Sequence, residues 1–170
     1  MSTAVVGGRA VSLRLLEPWD HEVLCGFYRR LSPETIYRRF MAPVVPPATA
    51  LVQRLLNVDH CRRDALVAID SDGIAGIARF APFGPAGHEV AIVIADEWQR
   101  RGLGTTLLTR LAHIARARGI ASFHATLLAE NRGARLFLQH FSPRTDFRFV
   151  DGIIEAEVPL RQTAWHAESA

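Results

Sequence analysis

The chain contains no lysine: all 20 of its basic residues are arginine. That absence excludes a Walker-type phosphate loop, whose lysine reaches the terminal phosphates of a nucleotide. It also leaves the N-terminal amine as the only amine on which the protein can acetylate itself. Cysteine is scarce, with Cys25 and Cys61 alone. Two thiols make no disulfide scaffold, and they fit a reducing compartment. No stretch approaches the roughly 20 apolar residues of a membrane-spanning helix, and the N-terminus lacks the basic region and apolar core of a secretory leader. The cytoplasm is therefore the expected location, with no membrane partner. No internal repeat or low-complexity run is present.

What is there suits one domain with a substantial core: 170 residues, 49% of them hydrophobic. The formal charge of +3 favours anionic partners. The Arg-Arg pairs at 29–30, 38–39, 62–63 and 100–101 are scattered along the chain, which argues against a nucleic-acid partner. His21, Cys25, His60 and Cys61 match no zinc spacing, so no metal is expected.

Along the chain, residues 1–10 read as a flexible lead, 11–160 as the domain and 161–170 as a tail with little to bury. Val11 to Leu15 alternates as a strand. Pro18 then opens a helical pattern with Val23, Leu24, Phe27 and Leu31 on one face. Ser32 and Pro33 restart a second helix, and Leu51, Leu55 and Leu56 mark a third after a proline-rich break. Strands follow at 65–69, 74–80 and 89–94, the first two joined by a hairpin turn ending at Gly73. Leu103, Leu107, Leu111 and Ile114 share the stripe of a helix closed by Gly119. A strand at 122–127, a helix at 131–141 and a hairpin at 147–160 turning at Asp151-Gly152 complete a mixed α/β layer structure.

The most informative segment runs from Gln99 through Arg100, Arg101, Gly102, Leu103 and Gly104, between a strand and a helix. Glycines there let a backbone approach a ligand closely, and the first amides of the helix point at it with the positive end of the dipole behind them. Such a turn suits a pyrophosphate. A dinucleotide fingerprint is excluded: Leu107 stands where a third small residue belongs, and no carboxylate lies between 119 and 129.

The remaining pattern, Arg/Gln-x-x-Gly-x-Gly/Ala, resembles the GNAT superfamily of acyl-CoA-dependent N-acyltransferases. The likeness covers Glu89 to about Phe141. A narrower one, carried by Leu31 to Thr35, Arg39-Phe40, Val58 to His60 and Ala65 to Ala68, is to the catalytic domain of bacterial protein lysine acetyltransferases. It implies a central mixed, largely antiparallel sheet flanked by helices, and acetyl-CoA as acyl donor. Pantetheine would lie along Ile92, Val93 and Ile94, and the pyrophosphate against Gln99 to Thr105, with Arg100 and Arg101 adding charge. Asn131 would cap its helix or cap it and also hold the pantetheine arm, and Arg132 would reach the phosphates.

Acyl transfer to an amine needs a neutral nucleophile, and only about one lysine amine in a few thousand is neutral near pH 7. A base is therefore useful, and the related lysine acetyltransferases use a glutamate at the position of Glu89. The alternative for Glu89 is a solvated strand-end carboxylate. Backbone N–H groups near Ile92 or Val93 would stabilise the oxyanion. The tyrosine that many family members use to protonate the thiolate is replaced by Leu138, and the usual Gly-Phe by Ser142-Pro143, leaving His140 or a water as donor. The resulting expectation is an acetyltransferase, monomer or homodimer, acting on a protein lysine. Its rivals are a small-molecule amine acceptor and a non-catalytic acyl-CoA sensor.

Overall fold

The computed structural model describes residues 1–42, 44, 49–85 and 87–160. Eight strands form one sheet: β1 (Ser2–Val6), β2 (Arg9–Leu15), β3 (Asp64–Asp70), β4 (Gly73–Phe83), β5 (Gly87–Ile94), β6 (Ser122–Leu128), β7 (Asp146–Val150) and β8 (Ile153–Pro159), in the order 1-2-3-4-5-6-8-7. Among the described residues five α-helices flank it: α1 (His21–Arg30), α2 (Pro33–Phe40), α3 (Thr49–Leu56), α4 (Leu103–Ala117) and α5 (Arg132–Phe141). All neighbouring strands are antiparallel except β5 and β6. This is the mixed, largely antiparallel sheet expected from the sequence.

The two faces of the sheet follow from alternation along β4. Gly76, Ala78 and Phe80 face α4: a Cβ on Gly76 would lie 3.1 Å from Leu107, and Phe80 stacks on Phe123 of β6 at 5.8 Å. Ile77, Arg79 and Ala81 face the other way, toward α1, α2 and α3. α4 is an amphipathic helix whose Leu103, Leu107, Leu108 and Leu111 are wholly buried. α5 packs beside it, its Phe137 ring reaching Gly104.

Residues 1–10 correct the expectation of a flexible lead. Ser2–Val6 pairs in register with β2, from Ser2 opposite Leu13 to Val6 opposite Arg9. Gly7 and Gly8 both take positive φ, +56° and +79°, as a tight two-residue hairpin demands. Val6 is buried. A second correction concerns α1, which begins at His21, so Pro18 lies in the preceding turn. Asp20 is committed there: its carboxylate accepts both guanidinium nitrogens of Arg14 and the backbone N–H of Glu17. Val23 falls on the exposed side of the helix. The expected tail, 161–170, lies outside the described residues.

Three tethers fix the loops between elements. Arg30 donates to the Asp72 and Ile74 carbonyls at 2.6 and 2.7 Å, clamping α1 onto the β3–β4 turn. Buried Trp98 donates its indole N–H to Asp70 at 2.7 Å, and Arg9 lies 4.3 Å over its ring. Asp64, fully buried, binds the Arg118 guanidinium at 2.6 Å, its neighbour's N–H and the imidazole of His60 at 3.0 Å.

His60 also meets Glu17 at 3.3 Å. Its hydrogen bond with Asp64 holds its pKa above the ordinary 6.5, with Glu17 adding to this and partial burial opposing. A raised folded-state pKa contributes stability that is full below 6.5 and lost as pH rises through the folded value. Urea midpoints are expected to fall over that window above pH 6.5, and His60→Asn is expected to flatten the slope. An unchanged slope would rule the linkage out.

Candidate active site

The site forms where the sheet comes apart. β5 and β6 lie side by side, yet Glu89 with His124 is the one pair in register, and β5 continues to Ile94 paired with β4 alone. Ile92, Val93 and Ile94 thus border an opening wedge. In a strand, alternate residues turn their N–H and C=O to opposite neighbours, so some backbone groups of 90–94 face the gap without a ladder partner. From Glu89 to Ile94 the strand runs about 17 Å at roughly 3.4 Å per residue. A slender amide-bearing arm fits such a slot.

At the wide end of the wedge stands the turn between β5 and α4. Arg100 and Gly102 both take left-handed backbone, with φ +58° and +91°. For a non-glycine residue this is strained, a feature concentrated at functional sites. Successive left- and right-handed residues form a concave nest of N–H groups, an anion-binding shape. Gly102 is the N-cap of α4 and provides no side-chain cap. Its carbonyl accepts the N–H of Thr106, and the amides of Leu103, Gly104 and Thr105 precede the first intrahelical bond. A Cβ on Gly102 would meet nothing within 4 Å, so the space before these amides is open.

The side chains of the motif are placed less uniformly than its backbone. Gln99 donates to the Ile94 carbonyl at 3.2 Å and to Thr35 Oγ1 at 3.1 Å. Arg101 donates from Nε to the Glu97 carbonyl at 2.8 Å. Both are engaged with protein, whereas Arg100 is exposed. Asp96 anchors the turn to α2, accepting from Ser32 N–H, Ser32 Oγ and Thr35 Oγ1 at 2.7–2.9 Å. Burial would raise its pKa, but these bonds outweigh that and hold it low.

Asn131 caps α5, its Oδ1 accepting the Ala134 N–H at 3.1 Å. Arg132 is the exposed first residue of that helix. Leu138 is buried, and His140 binds the Leu136 carbonyl of its own helix at 2.8 Å.

Glu89 sits at the narrow end of the wedge, half-buried. Its register partner is Ala81, and Arg79 pairs with Ala91, so Arg79, Ala81, Glu89 and Ala91 line one face. They floor a cavity of about 260 Å³ whose walls include Arg39 of α2, Arg54 of α3, Asn57 just after it, and Arg63. These arginines were not singled out from the sequence. The signal lay in Arg79, a lone charge inside the apolar run 74–80.

Among the described residues no three of His, Cys, Asp and Glu gather as a metal site. His60, considered with Cys61, His21 and Cys25, is instead bonded to Asp64 and Glu17. No described helix is long and apolar enough to cross a membrane.

The model of the acetyltransferase (GNAT) family matches residues 25–142. The chain belongs to that family and is a GNAT acetyltransferase. It is 35% identical over 133 residues to Acetyltransferase PA5475 of Pseudomonas aeruginosa, covering 75% of this chain and 72% of that one. It is 32% identical over 156 residues to Acetyltransferase Pat of Mycolicibacterium smegmatis, covering 86% of this chain but only 45% of the relative. The GNAT domain of S. lividans PAT has the same fold, with a TM-score of 0.84 at 28% identity, over 93% of this chain and 96% of that one.

Proposed function

We propose that the protein transfers the acetyl group of acetyl-CoA directly to the side-chain amine of a protein lysine in the cytoplasm, with Glu89 as general base. The observation that carries the reading is the layout along β5. The amide nest of residues 100–105 lies at one end of the wedge, and a carboxylate lies at the other, beside a cavity open to an acceptor. The resemblance of Leu31 to Thr35, Arg39-Phe40, Val58 to His60 and Ala65 to Ala68 to bacterial protein lysine acetyltransferases supports lysine as the acceptor.

In this reading the amides of Leu103, Gly104 and Thr105 hold the pyrophosphate, with Arg100 adding charge, while Asn131, the backbone groups of Ile92 and the Ile94 N–H hold the arm, those of Val93 facing β4. Glu89 accepts a proton from the ammonium, and the freed amine attacks the thioester carbon. A backbone N–H of β5 stabilises the oxyanion. The C–S bond then breaks and the CoA thiolate leaves, while the nitrogen gives its second proton to water and the amide forms. A thiol pKa near 8.5 makes that departure easy, so water suffices where Leu138 replaces the family's tyrosine.

Cys25 is buried and Cys61 exposed, and a route through an acetylated thiol would pass through one of them. Initial rates with acetyl-CoA and a lysine peptide both varied are expected to give intersecting lines, with no acetylated enzyme by intact mass. Parallel lines with an acetylated cysteine would contradict direct transfer.

A further inference from the structure

The cavity beside Glu89 has an unexpected charge for a site that receives a cation. Arg39, Arg54, Arg63 and Arg79 surround one carboxylate. Arg63 has a partner, Asp59 at 3.5 Å. Arg39, Arg54 and Arg79 have no carboxylate within ion-pair distance among the described residues. Arg39 instead lies 4.8 Å over the Phe40 ring, and Arg79 is a half-buried cation in the middle of a central strand. Burying a charge without a partner is costly, and proteins retain such groups where a ligand completes them.

Burial and repulsion from Arg39 both depress the Arg79 pKa, with Tyr28 and Glu89 opposing. A second buried group lacks a partner nearby. Tyr28, within electrostatic reach of Arg39 and Arg79, has a buried hydroxyl with no hydrogen bond among the described residues. These cations do not serve the acetyl-CoA pyrophosphate, because the amide nest lies beyond the far end of β5 from Glu89, more than about 17 Å along the strand.

Building on the proposed acetyl transfer at Glu89, we infer that the acceptor amine is accompanied by an anionic group, a carboxylate or phosphate, which binds Arg54 and Arg79 while the amine faces Glu89. An ammonium arriving alone meets Arg39, Arg54 and Arg79 against the single carboxylate of Glu89, a net positive charge. One that brings its own anion is drawn in by charge-assisted hydrogen bonds, bidentate where the fork of a guanidinium is free. With a carboxylate seated, the positive charge left over favours the neutral form of the amine, the form that attacks. A free amino acid has the same chemistry as an acid-flanked lysine, so both sources belong in the test.

The test measures acetylation of three peptides that differ only beside the lysine, carrying Glu, Gln or Arg there, and of an ω-amino acid against its carboxamide. The Glu peptide is expected to exceed the Gln peptide in kcat/KM by tenfold or more, through KM, and the Arg peptide is expected to be poorest. A preference for the amino acid over its carboxamide that exceeds the peptide effect would assign the anion to a small acceptor and equally support the inference. Arg54→Gln, on an exposed helix position, and Arg79→Gln are each expected to reduce the preference while leaving the KM for acetyl-CoA unchanged. Equal rates across the panel, or a preference that survives both substitutions, would overturn the inference alone. No transfer to any acceptor, neutral ones included, would overturn the proposed acetyl transfer and this inference with it.

Discussion

Replacing Glu89 by glutamine is expected to lower kcat/KM for a lysine acceptor near pH 7 by about 10²- to 10⁴-fold, the usual worth of a positioned general base. Glutamine matches the shape and can still hydrogen-bond, so acetyl-CoA affinity and thermal stability are expected to stay near native. Glu89 lies half-buried where β5 and β6 last pair, and no described residue forms an ion pair with it, so little structure depends on its charge. The variant should also recover as pH rises, because an amine with a pKa near 10.4 then loses its proton to water. Its rate should climb about tenfold per pH unit through the range where the native rate has levelled. A variant with native rate at pH 7, or a deficit that no pH relieves, would remove Glu89 from the role of base.

The second large effect is expected at Gly102. Valine there must enter the left-handed region, which costs roughly 1–2 kcal/mol for a residue with a Cβ and more for a branched one. No described residue lies within 4 Å of the new Cβ, so the chain accommodates the side chain sterically. What the side chain obstructs is the approach to the amides of residues 103–105. Losing one or two hydrogen bonds to an anion, each worth about 1.5–3 kcal/mol, corresponds to roughly ten- to a thousandfold weaker acetyl-CoA binding or more. Gly119, at the other end of the same helix, has φ +80° and open space too. Gly119→Val is therefore a matched control, expected to lose comparable stability while binding acetyl-CoA normally by calorimetry. Equal affinity losses at both ends would reduce the Gly102 effect to general destabilisation.

These two sites were legible in the sequence for different reasons. Gly102 and Gly104 stand between an apolar strand and a 3.6-periodic helix, and that order of elements determines where the amides point. Glu89 was identified through resemblance, since a carboxylate at a strand end has no local signature. Caps were readable where the chemistry is short-range: the Ser32 hydroxyl accepts the Thr35 N–H, and Asn131 that of Ala134.

What escaped were features created by pairing and assembly. β1 escapes a sequence reading because two glycines near a chain end suggest a flexible lead, although two glycines between alternating segments are also a hairpin signal. The splay of β5 from β6 concerns which backbone groups lack partners, which periodicity does not encode. The arginines of the cavity come from α2, α3, β4 and the loop before β3, from Arg39 to Arg79, and only the folded sheet brings them together. Gln99 illustrates the limit in the other direction: its place in the motif was recognised, but its side chain is occupied by Thr35 and the Ile94 carbonyl.

The most direct test is transfer of label from acetyl-CoA into a lysine-bearing protein extract, with the native chain compared against Glu89→Gln. With no lysine in the chain, the enzyme adds almost no background of its own. Label on protein lysines with the native chain, collapsing in the variant at pH 7 while acetyl-CoA still binds, is the predicted result. Tight acetyl-CoA binding with no label in any protein would contradict lysine acetylation.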